Sequence, residues 1–91
     1  MPATMSNPPF MADAPRSYAV ILEPEAEGGF SVIVPALPEA HTQGETIEEC
    51  LANAREVIAL VLEVRAMRGE EIPPSDVGAR FERVEVSTPA A

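Results

Sequence analysis

The stretch from residue 46 to residue 69 constrains the fold most, because it is the only long helical pattern in the chain. It opens with Thr46, and Glu49 follows three residues later. This pair satisfies two backbone N–H groups that the first helical turn leaves free. Basic residues occupy the last turn, where the helix dipole favours cations, and Gly69 is a typical residue just beyond a helix end. The sequence therefore predicts one helix over residues 46–68.

The predicted helix has a broad apolar face that needs a sheet or another helix to cover it. At about 100° per residue, the apolar side chains fall within roughly half of the circumference. They are Ile47, Cys50, Leu51, Ala54, Val57, Ile58, Val61, Leu62 and Val64. Leu60 and Met67 fall outside this arc and are candidates for an oligomer interface. The alternative is that they are isolated apolar residues on an ordinary surface.

Three segments before the helix have the composition of β-strands. Residues 17–23 form a near-continuous apolar run, and residues 30–34 form a second run after a glycine-containing turn. Two such runs with a short connection predict a β-hairpin. Because the first run is apolar on both faces, we expect it to be a central strand of the sheet. Residues 39–44 predict a short third strand.

A last strand is predicted after the helix, where residues 79–87 alternate charged with apolar side chains. The predicted order is β-β-β-α-β, an α+β fold in which one mostly antiparallel sheet packs on a single long helix. We expect residues 1–16 to be a flexible tail, residues 17–87 to form the domain, and residues 88–91 to form a short C-terminal tail.

The charge balance of the chain is strongly acidic. It has six arginines, no lysine and fifteen acidic residues among 91, for a net charge of −9. This argues against binding nucleic-acid phosphates or an anionic membrane surface, and it allows a basic protein partner. The candidate partner-binding residues are Glu23, Glu25, Glu27, Glu39, Glu45 and Glu48. The alternative for each is that it only solvates the surface.

Few residues could support catalysis or hold a cofactor, and we expect no cofactor and no metal. Cys50 is the only cysteine and falls in the apolar arc, so it forms no internal disulfide. A lone histidine, His41, is more typical of a structural role. Three alternating glutamates near the hairpin tip could hold Mg²⁺ in a nuclease, but a solvated acidic hairpin fits them better. With no visible transmembrane run or secretory signal, we expect a cytoplasmic protein.

The order of short motifs along residues 17–87 resembles the HicB antitoxin family. Each motif is weak alone, and their order and spacing make the resemblance specific. The matching positions are the aromatic-led strand Tyr18–Glu23, Gly29-Phe30, Val34-Pro35-Ala36-Leu37-Pro38, His41-Thr42-Gln43-Gly44, Thr46-Ile47-Glu48-Glu49, Asn53, Arg68-Gly69-Glu70 and Ile72-Pro73-Pro74.

The resemblance implies a partial ribonuclease-H-like fold without a catalytic acid cluster. It also implies an antitoxin that binds a small basic HicA toxin, a double-stranded-RNA-binding-like ribonuclease that cleaves mRNA, and covers its active site. Many members carry a C-terminal DNA-binding domain. Because this chain ends at Ala91, we expect a short form without one.

Two functional hypotheses follow from the sequence. The first is an antitoxin-like, non-enzymatic protein that neutralises a small basic ribonuclease. The second is a stand-alone HicB-fold interaction module, a homo-oligomer with no toxin partner. In both cases we expect a dimer or a tetramer, since so small a domain buries only a modest core. A residual metal-dependent nuclease is the third and least supported interpretation.

Overall fold

The computed structural model describes residues 15–90, so most of the predicted N-terminal tail lies outside the described residues. The three strands form one antiparallel sheet in the order β1-β2-β3, and the helix packs on one face of it. This confirms the predicted α+β architecture of an antiparallel sheet on a single long helix. The elements are β1 (Ile21–Pro24), β2 (Phe30–Ile33), β3 (His41–Gly44) and α1 (Ile47–Met67).

The predicted hairpin is formed by β1 and β2. Its tip is closed by the Glu25 N–H, which donates to the Gly29 carbonyl over 3.0 Å. In the resulting register Leu22 lies opposite Val32, and both pack toward α1. Since side chains alternate along a strand, the intervening residues, such as Ile21, point to the face that α1 does not cover. The register therefore decides which apolar residues of the hairpin enter the core.

A double turn between β2 and β3 supplies half of the buried core. The Leu37 N–H donates to the Val34 carbonyl and the Ala40 N–H donates to the Leu37 carbonyl, each over 2.9 Å. Val34, Leu37 and Ala40, the residues joined by these two hydrogen bonds, are completely buried beneath the C-terminal half of α1. The prolines at positions 35 and 38 stay exposed. This proline-rich corner therefore contributes more buried residues than the strands, which contribute Val32 alone.

Two backbone hydrogen bonds cap the C-terminus of α1. The Gly69 N–H donates to the Ala66 carbonyl at 3.1 Å, and the Glu70 N–H donates to the Arg65 carbonyl at 2.8 Å. This arrangement satisfies carbonyl groups that a helix end otherwise leaves free. In the described part of the chain, no helix combines the length and the apolarity needed to span a membrane.

The covered face of α1 is narrower than the apolar arc that the sequence predicts. Cys50 and Ala54 are buried, whereas Ile47 and Leu51 are 58% and 44% exposed. Leu51 borders a groove beside Val20, the residue directly before β1. A three-stranded sheet does not extend far enough to cover that side of the helix.

Two expectations about the sheet are wrong, and they have the same cause. Residues 79–87 do not form the predicted last strand and are exposed throughout. Without that strand, β1 lies at the edge of the sheet and β2 is central, which corrects the expected central position of the first strand. The Asp76 N–H donates to the Ser17 carbonyl at 3.1 Å, and the Ala79 N–H then closes a turn on the Asp76 carbonyl at 2.9 Å. Alternating charged and apolar residues make a segment suitable for a strand, but the segment becomes one only where a neighbouring strand offers backbone hydrogen bonds.

We expect Leu37→Ala to lower the free energy of unfolding by about 2–5 kcal/mol, because it deletes a fully buried side chain and leaves a cavity. Urea denaturation followed by circular dichroism measures the loss. Leu51→Ala removes the same atoms from a half-exposed site and is the matched control, with a smaller loss. Equal losses in the two variants would contradict the position of the core.

Candidate functional site

An acidic groove lies where the tip of the hairpin approaches the start of α1. Glu25 and Glu27 border it on the hairpin side, and Glu45 and Glu49 border it on the helix side. Its floor is formed by β2 and β3, and it encloses about 780 Å³ of space open to solvent. The name acidic groove refers below to the cleft between these four glutamates.

Two glycines allow the walls of the groove to approach each other. Gly29 has a φ of 75°, and a Cβ atom there would lie 2.8 Å from the Gly44 carbonyl oxygen. A Cβ atom at Gly44 would lie 2.9 Å from the Cys50 Sγ and 3.0 Å from the Cys50 backbone nitrogen. Hairpin, β3 and helix thus meet through backbone contacts that a larger residue would prevent.

Hydrogen bonds orient the carboxylates of the groove. The Ser31 hydroxyl donates to the Glu25 carboxylate across the hairpin. The Glu45 N–H donates to Glu49 Oε1 over 2.6 Å, and the Glu49 N–H donates to Thr46 Oγ1 over 3.0 Å. The predicted pairing of Thr46 with Glu49 at the start of α1 is therefore present, with the Glu49 carboxylate reaching one residue further back than in the usual capping box.

The floor of the groove is tied to α1 by one side chain and closed by another. Asn53 Nδ2 donates to the Gln43 carbonyl at 2.7 Å, which joins the second turn of α1 to β3. Cys50 is fully buried behind Gly44. Burial raises the pKa of the Cys50 thiol, and the nearby carboxylates of Glu49 and Glu45 raise it further. The thiolate is therefore disfavoured, and this cysteine is a poor nucleophile.

The charge of the groove is not neutralised within residues 15–90. The ion pairs of that part of the chain join Arg65 to Glu39 and Arg80 to Glu82, each at 2.7 Å. Neither pair involves a glutamate of the groove. Several unpaired carboxylates around one concave surface concentrate a negative potential there, which attracts cationic side chains.

The structure brings only three of the six predicted partner-binding glutamates together. Glu25, Glu27 and Glu45 border the acidic groove. Glu23 in β1 and Glu48 in the first turn of α1 are exposed outside its lining. Their role in binding stays a prediction.

Glu39 lies at the opposite end of the domain and is held by the C-terminal part of α1. Arg65 Nε and Nη2 donate to its two carboxylate oxygens at 2.7 and 2.9 Å. These hydrogen bonds lower the pKa of Glu39 from its usual 4.5 to about 2. Arg65 also donates through Nη1 to the Glu71 carbonyl at 3.0 Å, so it links the helix end to the corner and to the following segment.

Glu49 is the groove residue that the sequence interpretation missed as a site residue. The capping pattern explained its presence at the start of the helix, and no further role was assigned to it. A capping carboxylate lies next to the residue before the cap, and here that residue is another glutamate, Glu45. The available sequence signal was a glutamate directly before the capping threonine, in addition to the capping glutamate three residues after it.

The two candidate interface residues of α1 are exposed. Leu60 is 58% exposed beside a shallow depression of about 240 Å³ that it shares with His41, and Met67 is 80% exposed near the helix end. Their contact with a second copy stays a prediction. Within residues 15–90, no three His, Cys, Asp or Glu side chains come together as a metal site would require. The hairpin glutamates thus form no such cluster there.

The Glu39–Arg65 pair predicts a specific pH dependence. Because the pKa of Glu39 is lower in the folded protein, its contribution to stability is complete above pH 4.5 and disappears as the pH falls toward 2. Glu39→Gln should therefore be less stable than the parent near neutral pH and equally stable near pH 2. Urea denaturation at several pH values measures this difference. Glu63→Gln, an exposed change elsewhere on α1, is the control, and a constant Glu39 effect across the series would contradict the pairing.

We expect Gly44→Ala to destabilise the protein, because the added Cβ atom collides with Cys50. The free energy of unfolding should fall by about 1–3 kcal/mol, which is typical of overpacking. The matched control is Gly78→Ala, where an added Cβ meets nothing within 4 Å. Thermal and urea unfolding of both variants test the contact, and equal stabilities would argue against the close approach.

Comparison with known proteins places this architecture in a family. The family model described as "HicB_like antitoxin of bacterial toxin-antitoxin system" matches residues 18–90. The chain is 36% identical over 61 residues to the UPF0150 protein ssr1765 of Synechocystis, covering 67% of this chain and 77% of that protein. It is 42% identical over 71 residues to Antitoxin HicB 1 of Photorhabdus laumondii, covering 77% of this chain and 46% of that protein.

A second antitoxin shows the same extent of similarity. Antitoxin HicB of Escherichia coli K12 is 36% identical over 70 residues, covering 76% of this chain and 51% of that protein. The chain thus spans about half the length of the two proteins named HicB antitoxins and most of the UPF0150 protein. The family model covers most of this chain, including every strand and α1. The chain therefore belongs to the HicB-like antitoxin family of bacterial toxin–antitoxin systems.

Proposed function

We propose that this protein binds and neutralises a small basic ribonuclease toxin of the HicA type, which cleaves mRNA, and that it does so without catalysing a reaction. The observation that carries the proposal is the acidic groove, whose four glutamates have no arginine partner within the described chain. Membership of an antitoxin family supplies the class of partner. A cytoplasmic location accompanies the proposal, because mRNA is there.

The groove has the properties that a basic protein surface requires. Its carboxylates come from two separate segments, so a cationic side chain can enter between them and contact both walls. The hydrogen bonds from Ser31 and from the Glu45 N–H hold two of the carboxylates in place before a partner arrives. Preorganised charge costs less to order on binding and speeds the encounter with an oppositely charged protein.

Binding alone is the mechanism that these residues support. Glu49 is engaged in starting α1, and Cys50 is buried with a raised pKa. A toxin that binds RNA phosphates must present basic side chains at its own active surface. An antitoxin that offers carboxylates to the same side chains competes with RNA for them. Neutralisation then follows from occupying the surface of the toxin.

Reversing the charge of the groove should slow toxin binding. We compare Glu25→Lys/Glu27→Lys/Glu45→Lys with the parent, using a purified HicA-type toxin as the binding partner. The association rate constant, measured by surface plasmon resonance at low salt, should fall by about tenfold or more. Added salt should lower the association rate constant of the parent more than that of the variant. Salt screens the attraction between the groove and a basic partner, and only the parent retains that attraction.

The control for that experiment carries the same net charge in another place. Glu56→Lys/Glu63→Lys/Glu70→Lys changes three exposed glutamates outside the lining of the groove. Each triple variant gains six positive charges, so both change from −9 to −3. Equal slowing by the two variants would show that only total charge matters and would reject the groove. Co-expression with growth and RNA integrity as readouts tests neutralisation itself, and a parent that neither rescues growth nor forms a complex would reject the toxin as partner.

A homo-oligomeric interaction module without a toxin is the second candidate function. The observation in its favour is the pair of exposed apolar residues on α1, Leu60 and Met67, which lie two helical turns apart. A second copy could cover both. Failure of the co-expression experiment, together with a mass above that of one chain, would favour this candidate.

A further inference from the structure

The outer edge of β1 is able to accept another strand. No strand among residues 15–90 pairs with it. In an antiparallel pair, every second residue directs its backbone N–H and carbonyl toward the neighbouring strand. Because the Glu25 N–H donates to Gly29, the hairpin register makes Ile21 and Glu23 the residues of β1 whose backbone groups face β2. The N–H and carbonyl of Leu22 then point outward, away from the sheet. Pro24 has no N–H group, which limits pairing to the part of β1 before it.

An apolar groove lies between α1 and residues 16–20, the segment that leads into β1. Val20 and Tyr18 line one side, Leu51 and Ile58 line the other, and the groove encloses about 410 Å³. Leu51 is 44% exposed because nothing in the described chain lies over it. A strand added at the β1 edge would cover this groove with every second side chain.

The C-terminal arm, residues 79–87, has the pattern that such a strand needs. Val84 and Val86 alternate with charged residues and are 86% and 75% exposed. Arg83 and Glu85 occupy the opposite face of the same stretch. An exposed segment with one apolar and one charged face is typical of a strand whose partner is missing.

We propose that the C-terminal arm of a second copy of this chain adds to the sheet as a fourth strand at the β1 edge. Val84 and Val86 of the arm enter the apolar groove, and Arg83 and Glu85 lie on the other face, on the same side as Glu23. The exchange is reciprocal, since each copy has one arm and one open edge, and it closes as a two-fold dimer. This interaction is separate from the proposed toxin surface.

The path of the arm within its own chain favours a second copy. Residues 79–83 flank residues 19–22 across a different cleft of about 540 Å³, which lies on the side that includes Ile21 and Pro35. Val84 and Val86 follow this stretch, do not line that cleft and stay exposed, so the described part of their own chain leaves them uncovered.

Charge also favours this occupant. Residues 79–87 contain two arginines and two glutamates and are neutral, whereas residues 15–78 contain four arginines and twelve acidic residues. Two acidic bodies repel each other when they approach directly. A neutral arm that reaches across allows association with less repulsion, and Arg83 can approach Glu23 of the other copy.

The mass of the full chain in solution tests the dimer. Light scattering at micromolar concentration should give twice the 9.7 kDa of one chain. Val84→Ser/Val86→Ser removes the apolar face of the arm without changing its charge or any buried residue, and it should weaken dimerisation by about tenfold or more. The control variant Val77→Ser alters an exposed apolar residue outside the arm and should leave the dimer intact. A monomeric parent, or a double variant as dimeric as the parent, would overturn the proposal.

Isotope-filtered NMR then identifies which chain supplies the strand. In a mixture of labelled and unlabelled protein, we expect contacts between Val84 or Val86 methyl groups of one copy and Leu22 or Leu51 methyl groups of the other. If these contacts occur only within one chain, the arm folds back on its own edge and the proposal is wrong. Contacts from residues 1–14 to the same edge would overturn it as well.

Discussion

The rest of the structure depends on the close contact between the last residue of β3 and the first buried residue of α1. Gly44 lies against Cys50 at a separation that leaves no room for a side chain, and Gly29 lies against Gly44 in the same way. This stack of backbone contacts fixes the hairpin, β3 and the helix start relative to each other. Once that end is fixed, the apolar face of α1 extends over β2 and over the buried corner between β2 and β3.

The same contact explains why the charged surface is concentrated at one end. The helix start needs carboxylates, because they satisfy free N–H groups and favour the positive end of the dipole. The hairpin tip needs polar residues, because it is exposed. Bringing the two ends together creates the acidic groove as a consequence of how the domain begins its helix. Stability and the proposed recognition surface therefore use some of the same residues, Glu45 and Glu49 in particular.

The small size of the domain leaves part of its apolar surface without a partner. Within the described chain, the buried core consists of six residues: Cys50 and Ala54 of α1 with Val32 of β2, and Val34, Leu37 and Ala40 of the corner. Ile47 and Leu51 of the helix stay exposed, and within residues 15–90 no second layer of secondary structure covers the opposite face of the sheet. Surfaces of this kind are costly in water, which gives a physical reason for association with a second copy or with another protein.

Taken alone, the sequence determined the local elements of this protein. The helix could be placed from Thr46, Glu49 and Gly69, because capping and periodicity act over a few residues. The hairpin and the family could be recognised for the same reason, since turn residues and motif order are local properties. The tertiary structure alone decided three things: which strand lies at the edge, whether residues 79–87 pair, and which of the scattered glutamates share a groove. Each depends on a neighbour that is distant in the chain, and alternation or charge in one segment cannot specify that neighbour.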